Sequence, residues 1–474
     1  MHKTSAKEKW TYAIGNVPLS VKEAAFSNFV VFFYTQVNGL NGTLAGLAMF
    51  AALLWDAISD PLVGSYSDTF QSRWGRRHPL MAAGILPSAF LLLALFDPPS
   101  HLGDVGMFLW LLAISILLRT ALTIYAIPYT ALGAEISDNY DERTQIATAR
   151  ITLAWIAGMT LPAIAYTFLF TDSANGISGR LEASNYWIYG VLSTVVAAIT
   201  GIICIVGTRT LIPKLPQGTT GLSFRWLAPY HDLKLIGKNR NFRISIGSNL
   251  AFGMCTGGYA TLSLYLSTYY WELTSFQLAG LVLPTALATL ISFSALGLLN
   301  KHYDKPTLLA GFSLGLILNA TWLFGGRLID ILPSNHEPSL YFLICLNTCI
   351  GVVMIVGLQV ISASFAADLI DEIELQTGHR KEGVLFSVSA FLNKVTIGAG
   401  ALIAGIVVDL SGITIDARPG EVASDTLQTL GLLTLILVSG FAFIGFLFTK
   451  RLQLSRSDHR AIRLKLDTNS SKLS

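Results

Sequence analysis

The stretch that decides the fold is WDAISDPLVGSYSDTFQSRWGRRHP, Trp55 to Pro79. It is the end of an apolar run that starts near residue 43, and it passes through two carboxylates, Asp56 and Asp60, before breaking into a loop with Arg73, Arg76 and Arg77. About 20 apolar residues span a bilayer as a helix, and basic residues at the end of such a run mark the cytoplasmic face. Outward from this segment the pattern repeats. Of 474 residues 52% are hydrophobic and 13% charged, against about 25% charged in an average soluble protein. The chain reads as an all-α membrane protein.

Apolar stretches between polar punctuation predict twelve spans, over 12–37, 43–66, 80–97, 105–134, 146–171, 186–207, 244–270, 275–299, 306–326, 340–367, 385–409 and 427–449. The polar connection 208–243 carries Arg209, Lys214, Arg225, Lys234, Lys238, Arg240 and Arg243, and divides them six and six. The expected organisation is a six-helix bundle over 1–207 holding a cation site, the cytoplasmic connection 208–243, a second six-helix bundle over 244–449 and a cytoplasmic tail 450–474. Twenty-five of the 32 Lys and Arg fall in the N-terminal, even-numbered and C-terminal segments. Three (Arg180, Arg327, Arg418) fall in the odd loops and four within spans. The positive-inside rule then places both termini in the cytoplasm. Two sets of six suggest pseudo-equivalent bundles around a substrate cavity, the layout of major-facilitator transporters.

A carboxylate at mid-bilayer costs about 2.5 to 3.5 kcal/mol on insertion scales and must be paired, hydrated or liganded. Asp56 and Asp60 are four residues apart, so they share one helix face. Either one is protonated or a cation sits between them on oxygen ligands; the plain alternative is a Lys or Arg from another helix. Pro61 removes the amide donor that would bond the Ala57 carbonyl, and Ser59 adds a hydroxyl; Pro128 acts likewise near Thr123 on the fourth span. Depth arithmetic at about 1.5 Å per residue brings Lys22, Glu23, Tyr125, Tyr129 and Lys394 to the same height. Arg119 is expected to form an interhelical ion pair, and Arg150 lies about a turn inside the fifth span.

Other chemistries are excluded. The net charge of +3 shows no basic field for nucleic acid. No Walker sequence, HExxH or GxSxG is present, so neither ATP hydrolysis nor an enzyme is expected, and no cofactor beyond a coupling ion, Na⁺ or H⁺. The eight histidines sit in tails or loops, so a histidine proton relay is not expected. Cys204, Cys255, Cys345 and Cys349 lie in apolar stretches without metal spacing. The charged N-terminus carries no removable signal peptide. The tail after Lys450 reads as a solvated basic anchor.

With these residues in view, Trp55 to Pro79, Tyr125 to Arg150 (YAIPYTALGAEISDNYDERTQIATAR) and Ala367 to Gly400 (ADLIDEIELQTGHRKEGVLFSVSAFLNKVTIGAG) resemble the glycoside-pentoside-hexuronide:cation symporters of the major facilitator superfamily, whose best-known members are melibiose carriers. The resemblance implies that Asp56 and Asp60 bind Na⁺, Li⁺ or H⁺ (a metal site if sodium couples), with Ser59 at a position often Asn and Thr123 as hydroxyl ligand. It implies that Arg150 serves sugar binding, that Lys394 lies near cation and sugar, and that Asp68, Arg73, Arg76 and Arg77 form the gating loop. Lys22, Glu23, Tyr125, Tyr129 and Thr130 complete the candidate substrate-binding set. The family's sugar-gripping residues are replaced here by Leu19-Ser20 and by Ala126 and Thr130, which argues against melibiose; Glu23 is a substitute acceptor. The expected protein is therefore a cation-coupled symporter of a sugar, glycoside or related solute in the plasma membrane (the inner membrane of a bacterium), in contact with lipid and working as a monomer. A lysophospholipid transporter of the same superfamily is the alternative, favoured by Phe29, Phe32 and Phe33. A non-transporting receptor is the remote one.

Overall fold

A computed structural model describes residues 5–137, 139–171, 178–214, 236–378, 382–415 and 417–471. Arg225, Lys234, His2, His231 and His379 lie outside the described residues. Among the described residues there are twelve long helical segments, a shorter helix at the C-terminal end and no strand. The first, α1, spans 6–37 in pieces: Ala6–Ile14, Val17–Ala25 and the π-helical turns Phe26–Val30 and Phe33–Val37. A capping box starts it, the Ser5 hydroxyl accepting from the Glu8 amide while Glu8 accepts from Ser5. Then come α2 (Gly42–Thr69), α3 (His78–Leu95), α4 (Asp104–Glu135), α5 (Tyr140–Ile164, ending in the π turn Ala165–Leu169) and α6 (Ala183–Gly207). The second set is α7 (Arg240–Tyr265, with the π turn Leu266–Tyr270), α8 (Ser275–Gly280 and Val282–His302) and α9 (Lys305–Ala320, with the π turn Thr321–Gly325). It ends with α10 (Pro338–Thr377), α11 (Glu382–Ser411) and α12 (Ser424–Thr449).

The packing repeats with a shift of six. In the first half α1 packs on α5 and α6, α2 on α4, and α3 on α4 and α6. In the second, α7 packs on α11 and α12, α8 on α10, and α9 on α10 and α12. The halves meet chiefly along α2 and α11, where Gly42 and Gly405 bring the backbones so close that a Cβ on either would overlap the other helix. Small residues let membrane helices approach in this way.

Ten of the helices are long and apolar enough to cross a membrane. α1 and α7 fall short for one reason: each opens its half and turns a polar stripe inward. Along the inner part of α1 the partly or fully exposed polar residues include Ser20, Glu23, Ser27 and Asn28; on α7 they include Tyr259, Ser263 and Ser267. Spacings of three, four and eight place each set on one face.

Two expectations are corrected. α10 runs ten residues past the expected 367, because Asp368 to Thr377 continues with good helix formers until Gly378 terminates it at φ +73°. The tail is no loose anchor: α13 (Arg456–Ser471) docks on the end of α10. Arg463 reaches Asp371 at 2.9 Å and His459 lies 2.9 Å from the same carboxylate. Arg456 donates to the Lys301 carbonyl at 2.8 Å, capping α8.

The end of the molecule away from the termini is sealed between halves. Tyr269 donates to Gln36 at 2.9 Å, Thr35 bonds Tyr265, and Arg180 donates to Thr268 and to the Leu273 carbonyl at 3.1 and 2.8 Å. Asp409 of α11 caps the start of α2, accepting from the Gly42 and Thr43 amides at 2.7 Å each. Phe29, Phe33, Phe96, Phe170, Tyr186 and Tyr189 interlock there, with neighbouring centroids 4.6 to 5.6 Å apart. Phe29, Phe32 and Phe33 are thus core residues, about 1% exposed, and lend no support to an amphiphile site.

Candidate functional site

Asp56 and Asp60 project from α2 toward α4 and α11. The Lys394 ammonium sits between them, 2.9 Å from Asp56 Oδ2 and 2.5 Å from Asp60 Oδ2. Thr123 of α4 donates its one hydroxyl proton to either carboxylate, at 3.2 Å from Asp56 Oδ1 and 3.0 Å from Asp60 Oδ1. Arg119, one turn earlier on α4, holds Nη1 3.5 Å from Asp56 and stacks its guanidinium 4.5 Å over Phe26. Asp56 is nearly closed off, its side chain 8% exposed, whereas that of Asp60 is 32% exposed.

Lys22 and Glu23 form an ion pair although adjacent in sequence, the buried ammonium reaching along the helix to a carboxylate that is 61% exposed. That exposure, in the middle of α1 and between the halves, means that Glu23 lines an internal space. Lys22 also lies close enough to Asp56 for direct electrostatic influence. The cluster balances: Glu23, Asp56 and Asp60 against Lys22, Arg119 and Lys394. Five of the six groups come from the first half and only Lys394 from the second.

The oxygens of Asp56, Asp60 and Thr123 make a hard, all-oxygen donor set that suits a small monovalent ion. Among the described residues no group of three or more His, Cys, Asp or Glu offers a transition-metal site. Ser59 is not part of this constellation; buried, it donates to the Asp56 carbonyl at 3.3 Å.

The remaining candidates scatter. Tyr125 donates to the Gly15 carbonyl at 2.7 Å and Tyr129 to that of Tyr12 at 3.0 Å, and both are wholly buried. With Tyr12 they stack in the seam between α1 and α4, at centroid spacings of 4.7 and 5.6 Å. Arg150 lies beside the Tyr12 hydroxyl, with Nε buried and unpartnered, and Thr130 is exposed. In the loop after α2, Arg77 is 4% exposed and grips Asp68 at 2.9 Å, Glu135 at 2.7 Å and the Ser67 hydroxyl at 2.7 Å. Arg76 adds a 2.5 Å bond to Glu135. Arg73 stands apart, stacked on Trp74 at 5.6 Å.

Several participants escape a sequence reading. Glu135 closes α4 and joins the loop arginines to it; an acid ending a span opposite a basic loop was the available signal. Ser27 and Asn28 extend the Glu23 face of α1. Asn28 and α7 border a cavity of about 300 Å³ between the halves, lined by Asn28, Tyr166, Ser263, Ser267, Thr285 and Asn347 among others. This lining is uncharged, mixing amides, hydroxyls and aromatic rings with aliphatic side chains such as Leu264, Leu281 and Ile344, and Asn28 stands about 7.5 Å along α1 from Glu23 by helical rise.

Residues 11–456 match the family model described as MFS/sugar transport protein. The chain is 22% identical to the isoprimeverose transporter of Lactiplantibacillus pentosus, over 94% of this chain and 88% of that one. It is 24% identical to the sodium-dependent lysophosphatidylcholine symporter 1 of Gallus gallus, over 98% and 91%. Among solved structures it resembles a bacterial homologue of the iron transporter ferroportin in its inward-facing state, at TM-score 0.65 and 13% identity, over 95% and 100% of the two chains. That likeness concerns the fold.

Proposed function

The chain belongs to the MFS/sugar transport family, and we propose that this multi-pass membrane transporter couples a monovalent cation at Asp56, Asp60 and Thr123 to a sugar or glycoside bound beside it. The observation that carries the reading is Lys394. Its ammonium lies where a cation would sit, between two carboxylates of the opposite half. A Na⁺ or H⁺ arriving at the pair replaces that positive charge, so Lys394 is released and the tie between halves changes with it. Binding of ion and solute are then linked, and the linkage is reciprocal in free energy.

In this reading Glu23, at the open face of α1, accepts hydroxyl protons of the solute, and the neutral stripe of α7 receives its far side. Arg150 contributes to the wall of the space near Tyr12. Asp68, Arg76 and Arg77, with Glu135, lock the end of the first half that bears the termini, which we assign to the cytoplasm on the distribution of Lys and Arg. The plasma membrane, a functional monomer and a lipid surround belong to the same reading. The sealed far end supports an inward-facing state.

Lysolipid transport is the second reading, favoured by the similarity to the lysophosphatidylcholine symporter. The deciding experiment is uptake into proteoliposomes under imposed Na⁺ or H⁺ gradients, with radiolabelled sugars, glycosides and lysophosphatidylcholine in parallel. Gradient-dependent accumulation of a sugar or glycoside is expected; accumulation that ignores both gradients would overturn the coupling, and uptake of lysolipid alone would overturn the substrate class.

A further inference from the structure

A second cavity, of about 230 Å³, lies inside the second half between α7, α9, α10 and α12. It meets the cavity between the halves at Tyr259, Asn347 and Thr348, which line both. We infer that this side pocket is a subsite for the apolar part of the transported solute, the aryl or short branched alkyl aglycone of a glycoside whose sugar occupies the cavity between the halves. The inference rests on the solute reading above and narrows it.

Four of the pocket's polar side chains are engaged elsewhere. Thr256 donates back to the Phe252 carbonyl of its own helix at 2.9 Å. Cys255 points its thiol at the Val438 carbonyl, 3.5 Å away. Asn319 and Asn347 form a reciprocal clamp, Asn319 donating to the Asn347 carbonyl at 3.1 Å and Asn347 to that of Asn319 at 2.8 Å, while Trp322 donates to Asn319 Oδ1 at 3.2 Å. Most of what remains to face the space is hydrocarbon, Leu316, Phe324, Val352, Ile355 and Val438, with Tyr259 and Thr348 where the two cavities meet. The amide clamp fixes α9 against α10, and Gly351, where a Cβ would come within 3.1 Å of Asn319 Nδ2, keeps the wall thin beside it.

An apolar cavity of about 150 Å³ already takes up benzene in preference to water, so this one is ample for a single ring. It is too small for a long acyl chain. A pocket lined mostly by hydrocarbon cannot orient a sugar, whereas the adjoining cavity adds the polar side chains of Asn28, Tyr166, Ser263, Ser267 and Thr285. The two together match a molecule with one polar and one apolar end, joined at the height of Asn347 and Thr348.

The test is binding to the purified full-length protein in nanodiscs, read by thermal shift and equilibrium dialysis. The probes are 4-nitrophenyl glycosides of glucose, galactose, xylose and glucuronic acid, each beside its free sugar, with lysophosphatidylcholine as a further arm. For the sugar that binds, the nitrophenyl glycoside is expected to bind about tenfold tighter or better than the free sugar. Filling the pocket from either of two walls, with Ala260→Leu or Val352→Phe, is expected to erase that advantage and leave free-sugar binding unchanged; two variants guard against one failing to fold. Equal affinity for glycoside and free sugar overturns the subsite while leaving the transport reading intact. An advantage that survives both variants overturns its location. No binding by any sugar or glycoside, or binding of lysolipid alone, overturns the subsite together with the substrate class.

Discussion

The two halves of the molecule pair their helices identically but bury different chemistry. Each carries a basic residue at the start of its third helix bonded to an acid on its fourth: Arg77 to Glu135 in the first half, Lys305 to Asp368, at 2.6 Å, in the second. That device is duplicated because it serves the scaffold, fastening a helix start to its neighbour at the terminal end. The mid-membrane acids are not duplicated. Glu23, Asp56 and Asp60 all belong to the first half, and α7, the counterpart of α1, offers only hydroxyls and rings on the matching face. The second half contributes one ammonium. A site built from one half and closed by one residue of the other responds to the relative movement of the two, which a site wholly inside either half would not.

The largest expected effect comes from breaking the single-copy site. Asp60→Asn should abolish gradient-driven accumulation in proteoliposomes while solute exchange persists, because the amide keeps the shape and removes the charge; undiminished accumulation would mean that the site lies elsewhere. Next, Lys394→Ala removes the resident competitor. Stabilisation by Na⁺ or Li⁺ should then set in at about tenfold lower concentration, since an opposing charge no longer has to be displaced, while coupled uptake falls. A cation titration unchanged in midpoint would break the link between the ammonium and the ion.

The duplicated device sharpens the comparison. Arg77→Ala removes the buried guanidinium shared by Glu135, which keeps Arg76, and by the half-exposed Asp68, and should lower stability by about 2 kcal/mol. Lys305→Ala, at a lysine 21% exposed and bonded to one carboxylate, should lower it by about 1 kcal/mol. Equal shifts in thermal unfolding would make the two locks equivalent after all. The smallest effect is expected at the docked tail: Arg463 is 53% exposed, and Arg463→Ala should change stability by about 0.5 kcal/mol or less, measured the same way.

Much of this was legible before any coordinates. Hydrophobic length and basic punctuation located all twelve helices, and the four-residue spacing of Asp56 and Asp60 put them on one face. Rise per residue also brought Lys394 to the right height. Height, however, says nothing of azimuth. Tyr125 and Tyr129 lie at the same level as the carboxylates yet point into the seam with α1, where backbone carbonyls at the broken stretch around Gly15 require donors. Arg180, read only as a basic residue in an odd loop, proved to be 3% exposed and to stitch the halves together. The tail seemed solvated by composition, but its His459 and Arg463 meet Asp371 on an extension of α10 that apolarity alone ended too early.

The sequence by itself determined the class of molecule, the positions of its twelve long helices and the acids set within them. These follow from local length, periodicity and charge, which need no partner to be read. Only the tertiary structure decided that one lysine from the far half closes the acid pair, that an uncharged cavity lies between the halves, and that an apolar pocket adjoins that cavity. Each of these depends on which faces of separate helices meet, and the rotation of one helix against another is set by packing across the whole bundle rather than by any stretch of chain.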